Sequence, residues 1–221
     1  MSAVNPQSRA PQHLSFEDLA GFADAFAPET DHAAAARTAT ASLGLTAVTP
    51  GTATLITLLA RSIGATAAVE IGTGAGVASL ALLAGLRAGG VLTSIDLEAE
   101  HQAAARAVFT GAGIATRRAR LIAGPALTVL PKLSDGAYDL VLIDGDPLEY
   151  VEYVEQAARL LRRGGLLLLY HAFAQGTVAD ETCEDDETVI IRESLEAAAA
   201  MEEFAPVIVP VGDGLLVAHR C

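Results

Sequence analysis

Ala67 to Leu83, AAVEIGTGAGVASLALL, decides how the rest of the chain is read. Ala68, Val69 and Ile71 predict a buried strand, Gly72, Gly74 and Gly76 a tight turn, and Val77, Leu80 and Leu83 a helix at its own periodicity. Glycine at those places lets the backbone bend sharply and approach a ligand closely. The N–H groups opening the helix then offer donors to an anionic end. The expected object is a cradle for a nucleotide-like ligand, with Thr73 carried on its turn.

Two acids choose among such ligands. The dinucleotide pattern G-x-G-x-x-G would put its third glycine where this chain has Val77; here it comes one residue early, at Gly76. Glu70 is expected to point its carboxylate into the cradle, repelling a pyrophosphate and attracting an ammonium or sulfonium group. Asp96 ends the next apolar run, VLTSID, about 20 residues beyond the glycines, where an acid can accept both ribose hydroxyls. Together these favour S-adenosylmethionine, which has a ribose and a positive charge but no phosphate, over NAD. A strand-to-helix turn without a ligand would leave Glu70 unexplained.

Outward from the cradle, strand and helix alternate. VLTSID, RARLIA, YDLVLID and GLLLLYH predict strands. Between them EAEHQAAARAVFTGAG, ALTVLPKL and YVEYVEQAARLLRRGG predict helices, the last with Val151, Val154, Ala158 and Leu161 inward. Continuously apolar strands in β-α repeats imply a parallel, doubly wound α/β sheet with helices on both faces. After the helix DETVIIRESLEAAAAM, APVIVPV and LLVAHR are joined through Gly212-Asp213-Gly214, a hairpin that forces one strand antiparallel. Upstream, Ser15 with Asp18 predicts a helix cap, and Asp31 is expected to cap an alanine-rich helix ending at Gly44. Thr49 and Pro50 open another, with Leu55, Leu58 and Leu59 on one face. These extra N-terminal helices are expected to cover the sheet, to lid the pocket or to form a dimer contact. Residues 1–13 are expected to be a disordered tail and 14–221 one domain, with helices over 14–62 and a nucleotide-binding core over 63–221.

Composition sets the limits. With 52% hydrophobic residues, 221 residues suffice for one sizeable core. The net charge of -13, with no basic run beyond Arg117, Arg118 and Arg120, argues against nucleic acid as partner. Cys183 and Cys221 form no metal spacing and fit a reducing cytosol. No apolar signal segment opens the sequence and no long apolar run follows, so a cytoplasmic protein off the membrane is expected.

Ligands on such sheets bind outside the carboxyl ends of the strands. That singles out Glu70 with Gly72, Asp96 with Leu97, Gly124 with Ala126, Asp144 with Asp146, and Tyr170 with His171. Asp144 follows so apolar a run that its carboxyl is expected to be perturbed. Asp146 is expected either to share the site or to cap the next helix.

Taken in order, Thr49-Pro50, EIGTGAG, the strand ending SID, AGI, Gly124-x-Ala126, YDLVLIDGD, Tyr150 with Tyr153, LRRGG and VGDGLLVAHR resemble one family over roughly residues 45–220. The chain is similar to the S-adenosylmethionine-dependent O-methyltransferases of the catechol and caffeoyl-CoA type. The resemblance implies a Rossmann-like seven-stranded sheet with the last strand antiparallel, and a homodimer. It implies that Glu70 and Gly72, with Thr73, Gly74 and Gly76, hold the methionine end of the ligand, and that Val48 touches it through the backbone. Asp96 would bind the ribose, Leu97 and Ala126 would flank the adenine, and Asp144 and Asp146 would border the same site. Where the family has a serine for the ligand carboxylate stands Ala78, leaving backbone N–H groups or the neighbouring Ser79 for that contact.

The acceptor side departs from the family pattern. Metal-dependent members hold a divalent cation with the aspartate matched by Asp144 and with an Asp-Asn pair, here Tyr170-His171. A phenol and an imidazole are poor substitutes for oxygen ligands of Mg²⁺, so no metal is expected, a softer ion on Asp144 and His171 being the alternative. The family's lysine base is replaced by Pro147, and the chain's only lysine is Lys132. His171 is therefore the expected base, with Asp144 to orient it or to take the proton itself. Tyr170 and Tyr153 are expected to shape the acceptor pocket, though Tyr170, alternating with His171, can instead face the other side of the sheet. The acidic segment 174–187 favours neutral or cationic acceptors over acyl-CoA thioesters. The expected function is methyl transfer to a hydroxyl of a small molecule. The alternative is a catalytically idle S-adenosylmethionine-binding protein with a regulatory or dimer-partner role.

Overall fold

In the computed structural model, which describes residues 14–27 and 29–221, the alternation read from the sequence is present. The tail expected over 1–13 lies outside the described residues. Three helices come first, α1 (Phe16–Phe26), α2 (Asp31–Ser42) and α3 (Pro50–Ser62). The cradle segment follows as β1 (Ala67–Ile71) and α4 (Val77–Gly85). Then come β2 (Val91–Asp96), α5 (Ala99–Gly111), β3 (Ala119–Ala123), α6 (Ala126–Val129), β4 (Tyr138–Ile143), α7 (Tyr150–Leu160) and β5 (Leu161–Tyr170). The chain closes with α8 (Asp186–Ala200), β6 (Phe204–Val209) and β7 (Leu215–Arg220).

The seven strands form one sheet in the order β3-β2-β1-β4-β5-β7-β6. β1 to β5 pair in parallel, and β7 runs antiparallel to both β5 and β6, as the Gly212–Gly214 hairpin requires. Strand order reverses between β1 and β4, which opens a crevice at their carboxyl ends. The period of two divides the strands between two cores. Ala68, Leu140, Leu142, Leu166 and Leu168 face the layer of α3, α4 and α5. Val69, Ile71, Val141, Ile143, Leu167 and Leu169 face the layer of α7 and α8.

Local chemistry fixes the helix ends, with some shifts from expectation. Ser15 and Asp18 form a reciprocal capping box, and Thr49 caps α3 ahead of Pro50. Asp31 lies inside α2; its cap is Thr30, whose hydroxyl accepts from Ala33 N–H. The buried stripe of α3 is Thr52, Ile56 and Ala60, and Leu58 is exposed, because the helix sits a quarter turn away from the leucine face. Leu161 belongs to β5 rather than to α7, whose buried face is Tyr150, Tyr153, Val154, Ala157, Ala158 and Leu160. Asp185 caps α8.

Candidate active site

A cleft of about 890 Å³ lies over the carboxyl ends of β1, β2, β4 and β5. Its floor depends on one close approach. Gly72 has φ of 92°, and a Cβ there would lie 2.0 Å from the carbonyl oxygen of Asp144. Only glycine lets the ends of β1 and β4 meet in this way. Gly72 N–H donates to Ile95 O and Asp144 N–H to Ile71 O, which ties three strand ends together. Of the expected site residues, Val48, Gly72, Thr73, Gly74, Ala78, Asp96, Leu97, Ala126, Asp144, Asp146, Tyr153 and His171 line this cleft.

Asp96 is the pin of the glycine turn. Its Oδ2 accepts from Thr73 N–H at 2.9 Å and Gly74 N–H at 3.0 Å. Its Oδ1 accepts from Glu98 N–H at 2.9 Å and lies 3.0 Å from His101 Nδ1. A carboxylate has about four lone-pair sites, and these partners address all of them. Ribose hydroxyls, expected at this acid, would have to share those oxygens or displace a partner. His101 lines the cleft beside Asp96, a position the sequence reading missed. Its signal was present: an imidazole one turn into the helix that follows an acid-ended strand.

Three expected site residues do not line the cleft. Glu70 is fully buried and on the α4 side of β1, the parity of Ala68; its carboxylate accepts from the hydroxyls of Ser79 and Ser94, so it supports the cradle from beneath. Ser79 is thereby removed as a contact for a ligand carboxylate. Gly76, with φ of 94°, opens α4, and a Cβ there would come 2.7 Å from the Phe109 ring, so its smallness serves helix packing. Tyr170 is buried with the α3 and α4 layer, the opposite face from the acceptor side, and its hydroxyl oxygen accepts from Asp213 N–H at 3.3 Å.

Burial pushes the Glu70 carboxyl up to about 7, against the lowering bonds from Ser79 and Ser94 and with Asp96 adding to the rise. The folded protein thus holds a proton at pH 5 to 7 that the unfolded chain, with its ordinary value of 4.5, has released. Stability must fall as pH rises through that window, by roughly 3 kcal/mol from this group. Asp144, pushed up by burial and then by Glu70, adds to the same slope. Ligand-free protein is expected to melt at a higher temperature at pH 5.5 than at pH 8, and Glu70→Gln to flatten that difference in a calorimetric scan. An unchanged slope in the variant would contradict this.

The side of the cleft expected to take the acceptor lies at the end of β5. His171 has φ of 62°, in the left-handed region. Its Nδ1 lies 2.8 Å from Asp213 Oδ2, whereas its Nε2 is 3.6 Å from Asp144 Oδ1. The bonded partner is therefore Asp213 rather than Asp144. The sequence marks Asp213 as a hairpin residue only. The antiparallel register Tyr170↔Leu215 sets that hairpin beside the end of β5, and this is the clue that could have found it. Asp146 does both things expected of it, accepting from Leu148 N–H at 3.0 Å and lining the cleft. Tyr153 hydroxyl donates to Glu149 at the cleft wall.

A family model described as O-methyltransferase matches residues 29–221. The chain belongs to the O-methyltransferase family. A Mycobacterium sp. (strain JLS) protein named "Putative O-methyltransferase" is 44% identical over 219 residues, 99% of each chain. Among solved structures, the O-methyltransferase TomG of Streptomyces achromogenes, in complex with S-adenosylmethionine, is similar at a TM-score of 0.82 and 26% identity, covering 90% of this chain and 94% of that one. The O-methyltransferase of Bacillus cereus, in complex with S-adenosylhomocysteine, is similar at 0.83 and 25%, covering 92% and 97%.

Within this O-methyltransferase the donors at the acceptor side do not fit a hard divalent cation. Tyr170 faces away, His171 Nδ1 is taken by Asp213, and Asp144 is the carboxylate left at the matched position, short of the oxygen shell that Mg²⁺ takes. Among the described residues no group of three or more His, Cys, Asp or Glu is arranged to hold a metal ion. Pro147, in the family's lysine position, lines the cleft, and Lys132 does not. No lysine or arginine is among the described residues of the lining, which does carry Asp144, Asp146, Glu149, Asp185, Glu187 and Asp213.

Proposed function

We propose that this O-methyltransferase binds S-adenosylmethionine in the cleft and transfers its methyl group to a hydroxyl of a small acceptor, without a divalent metal. The observation that carries the reading is a continuous cavity joining the glycine turn and Asp96 at one end to His171 at the other. Gly72, Thr73 and Gly74 offer close backbone to the methionine end, and the uncapped start of α4, at Val77 and Ala78, offers N–H donors to its carboxylate. Leu97 and Ala126 supply apolar contact for the adenine, Val48 meets the ligand through its backbone, and Asp96 with His101 addresses the ribose. Glu70 and Gly76 act from beneath, by holding the turn's shape.

When bound, S-adenosylmethionine supplies a methyl group on a positively charged sulfur, an electrophile that needs only an aligned oxygen. His171 Nε2 accepts the proton of the acceptor hydroxyl as the new C–O bond forms and the S–C bond breaks, so the positive charge ends on the imidazole ring. Asp144, Asp146 and Tyr153 border the acceptor. The acidic lining favours neutral or cationic acceptors over acyl-CoA thioesters.

Residues 14–221 act as one domain in the cytoplasm; among the described residues no helix is long and apolar enough to cross a membrane. Phe16, Leu19, Phe22 and Phe26 form an exposed apolar face on α1, which suits a homodimer contact. Phe22→Glu is expected to shift the sedimenting species from dimer to monomer; a wild-type monomer at 100 µM would sink the dimer.

A labelled-methyl assay over neutral, amine-bearing and CoA-linked phenols, with and without EDTA, tests the function. Transfer to the first two classes, insensitive to EDTA, supports it. Loss of transfer on chelation would overturn metal independence. Ligand binding with no transfer to any acceptor would leave the idle binding protein.

A further inference from the structure

We propose that Asp213 is the positioning residue of His171, fixing the ring in the tautomer that leaves Nε2 as a proton acceptor toward the cleft. The proposal rests on the reading of His171 as the base. His171 Nδ1 lies 2.8 Å from Asp213 Oδ2, and a carboxylate accepts, so Nδ1 carries the hydrogen. In the neutral ring Nε2 is then the acceptor, turned to the side where Asp144 stands 3.6 Å away.

Asp213 is itself held on every side. Its carboxylate accepts from Gln175 N–H at 2.9 Å, its N–H donates to Tyr170 Oη at 3.3 Å, and its carbonyl accepts from Phe173 N–H at 2.9 Å. The flanking glycines are both at positive φ. A Cβ on Gly212 would fall 2.7 Å from Tyr170 Oη, and one on Gly214 2.8 Å from the Phe173 ring. Such packing holds the β6–β7 turn against the end of β5. It also accounts for the left-handed backbone at His171, since a strained conformation persists only where its surroundings over-determine it. A turn that served only to reverse the chain would not need a carboxylate aimed at an imidazole lining the cleft.

The test is a double-mutant cycle read as kcat and acceptor KM, with ring ¹⁵N shifts of His171 measured on cofactor-free protein. Asp213→Asn, close in shape, is expected to lower kcat about 10- to 100-fold, a part of the 10²–10⁴ that a positioned base is worth, with KM little changed. In a His171→Ala background the same substitution is expected to cost less than about twofold, because Asp213 acts through His171. The ring should show protonated Nδ1 and unprotonated Nε2 in the parent protein, and lose that pattern in Asp213→Asn. Equal losses in both backgrounds, or an unchanged ring, would overturn the proposal while leaving His171 as base. A His171→Ala variant at full kcat would overturn the base and this proposal together.

Discussion

His171→Ala is expected to lower kcat about 10²- to 10³-fold while leaving the affinity for S-adenosylhomocysteine within about twofold. The separation follows from the layout of the cleft. His171 stands at the end of β5, whereas the glycine turn and Asp96, proposed to meet the nucleotide, stand at the ends of β1 and β2. No lysine or arginine of the described lining is available to take over the proton, and Pro147 occupies the place where the family carries its lysine. Single-turnover measurement of labelled methyl transfer, beside calorimetry of product binding, checks both halves. A variant that keeps its rate would move the proton to Asp144 or to water. One that loses rate and binding together would make His171 a structural residue of the cleft.

Gly72→Ala is expected to be the most damaging single substitution in the cradle. Two costs add. Alanine at φ of 92° is strained by about 1 to 3 kcal/mol, and its Cβ would meet the Asp144 carbonyl at 2.0 Å, a backbone atom held in place by its own strand. The ends of β1 and β4 must separate, at a further cost of about 1 to 3 kcal/mol. The sum, about 4 kcal/mol, corresponds to roughly a 10 °C fall in melting temperature for a chain of this size. Gly74→Ala is the control, since its φ of 50° is also positive but a Cβ there meets only Leu45 at 3.9 Å. It is expected to lose about 1 to 2 kcal/mol. Equal losses at the two positions would mean that the strand contact contributes nothing beyond backbone strain.

Much of the architecture was legible because its signals are local. Continuous apolar strands, the glycine turn and the Gly212-Asp213-Gly214 hairpin prescribe the parallel sheet and its one antiparallel insertion without reference to distant contacts. Side-chain direction was harder. Glu70 sits one residue before the end of β1, so the pleat sends it under α4 to Ser79 and Ser94 rather than into the cleft, and Tyr170 turns away for the same reason. For Glu70 the expectation treated a strand-end residue as facing the ligand when its parity placed it in a helix layer; for Tyr170 the alternation with His171 already offered the other face, and that is the one it takes. The His171–Asp213 pair joins positions 42 apart in sequence, and recognising it required the register of β7 on β5. The His101–Asp96 contact was nearer to hand, five residues apart, on the first turn of the helix that follows an acid-ended strand.

The central claim is that a glycine turn pinned by Asp96, in a cleft whose described lining carries acids and no lysine or arginine, selects a sulfonium nucleoside over a phosphorylated one. Isothermal titration of the purified protein with S-adenosylhomocysteine and, separately, with NADH tests it most directly. The account predicts one binding site per chain for the first and no heat for the second. Binding of NADH with none of S-adenosylhomocysteine would contradict it.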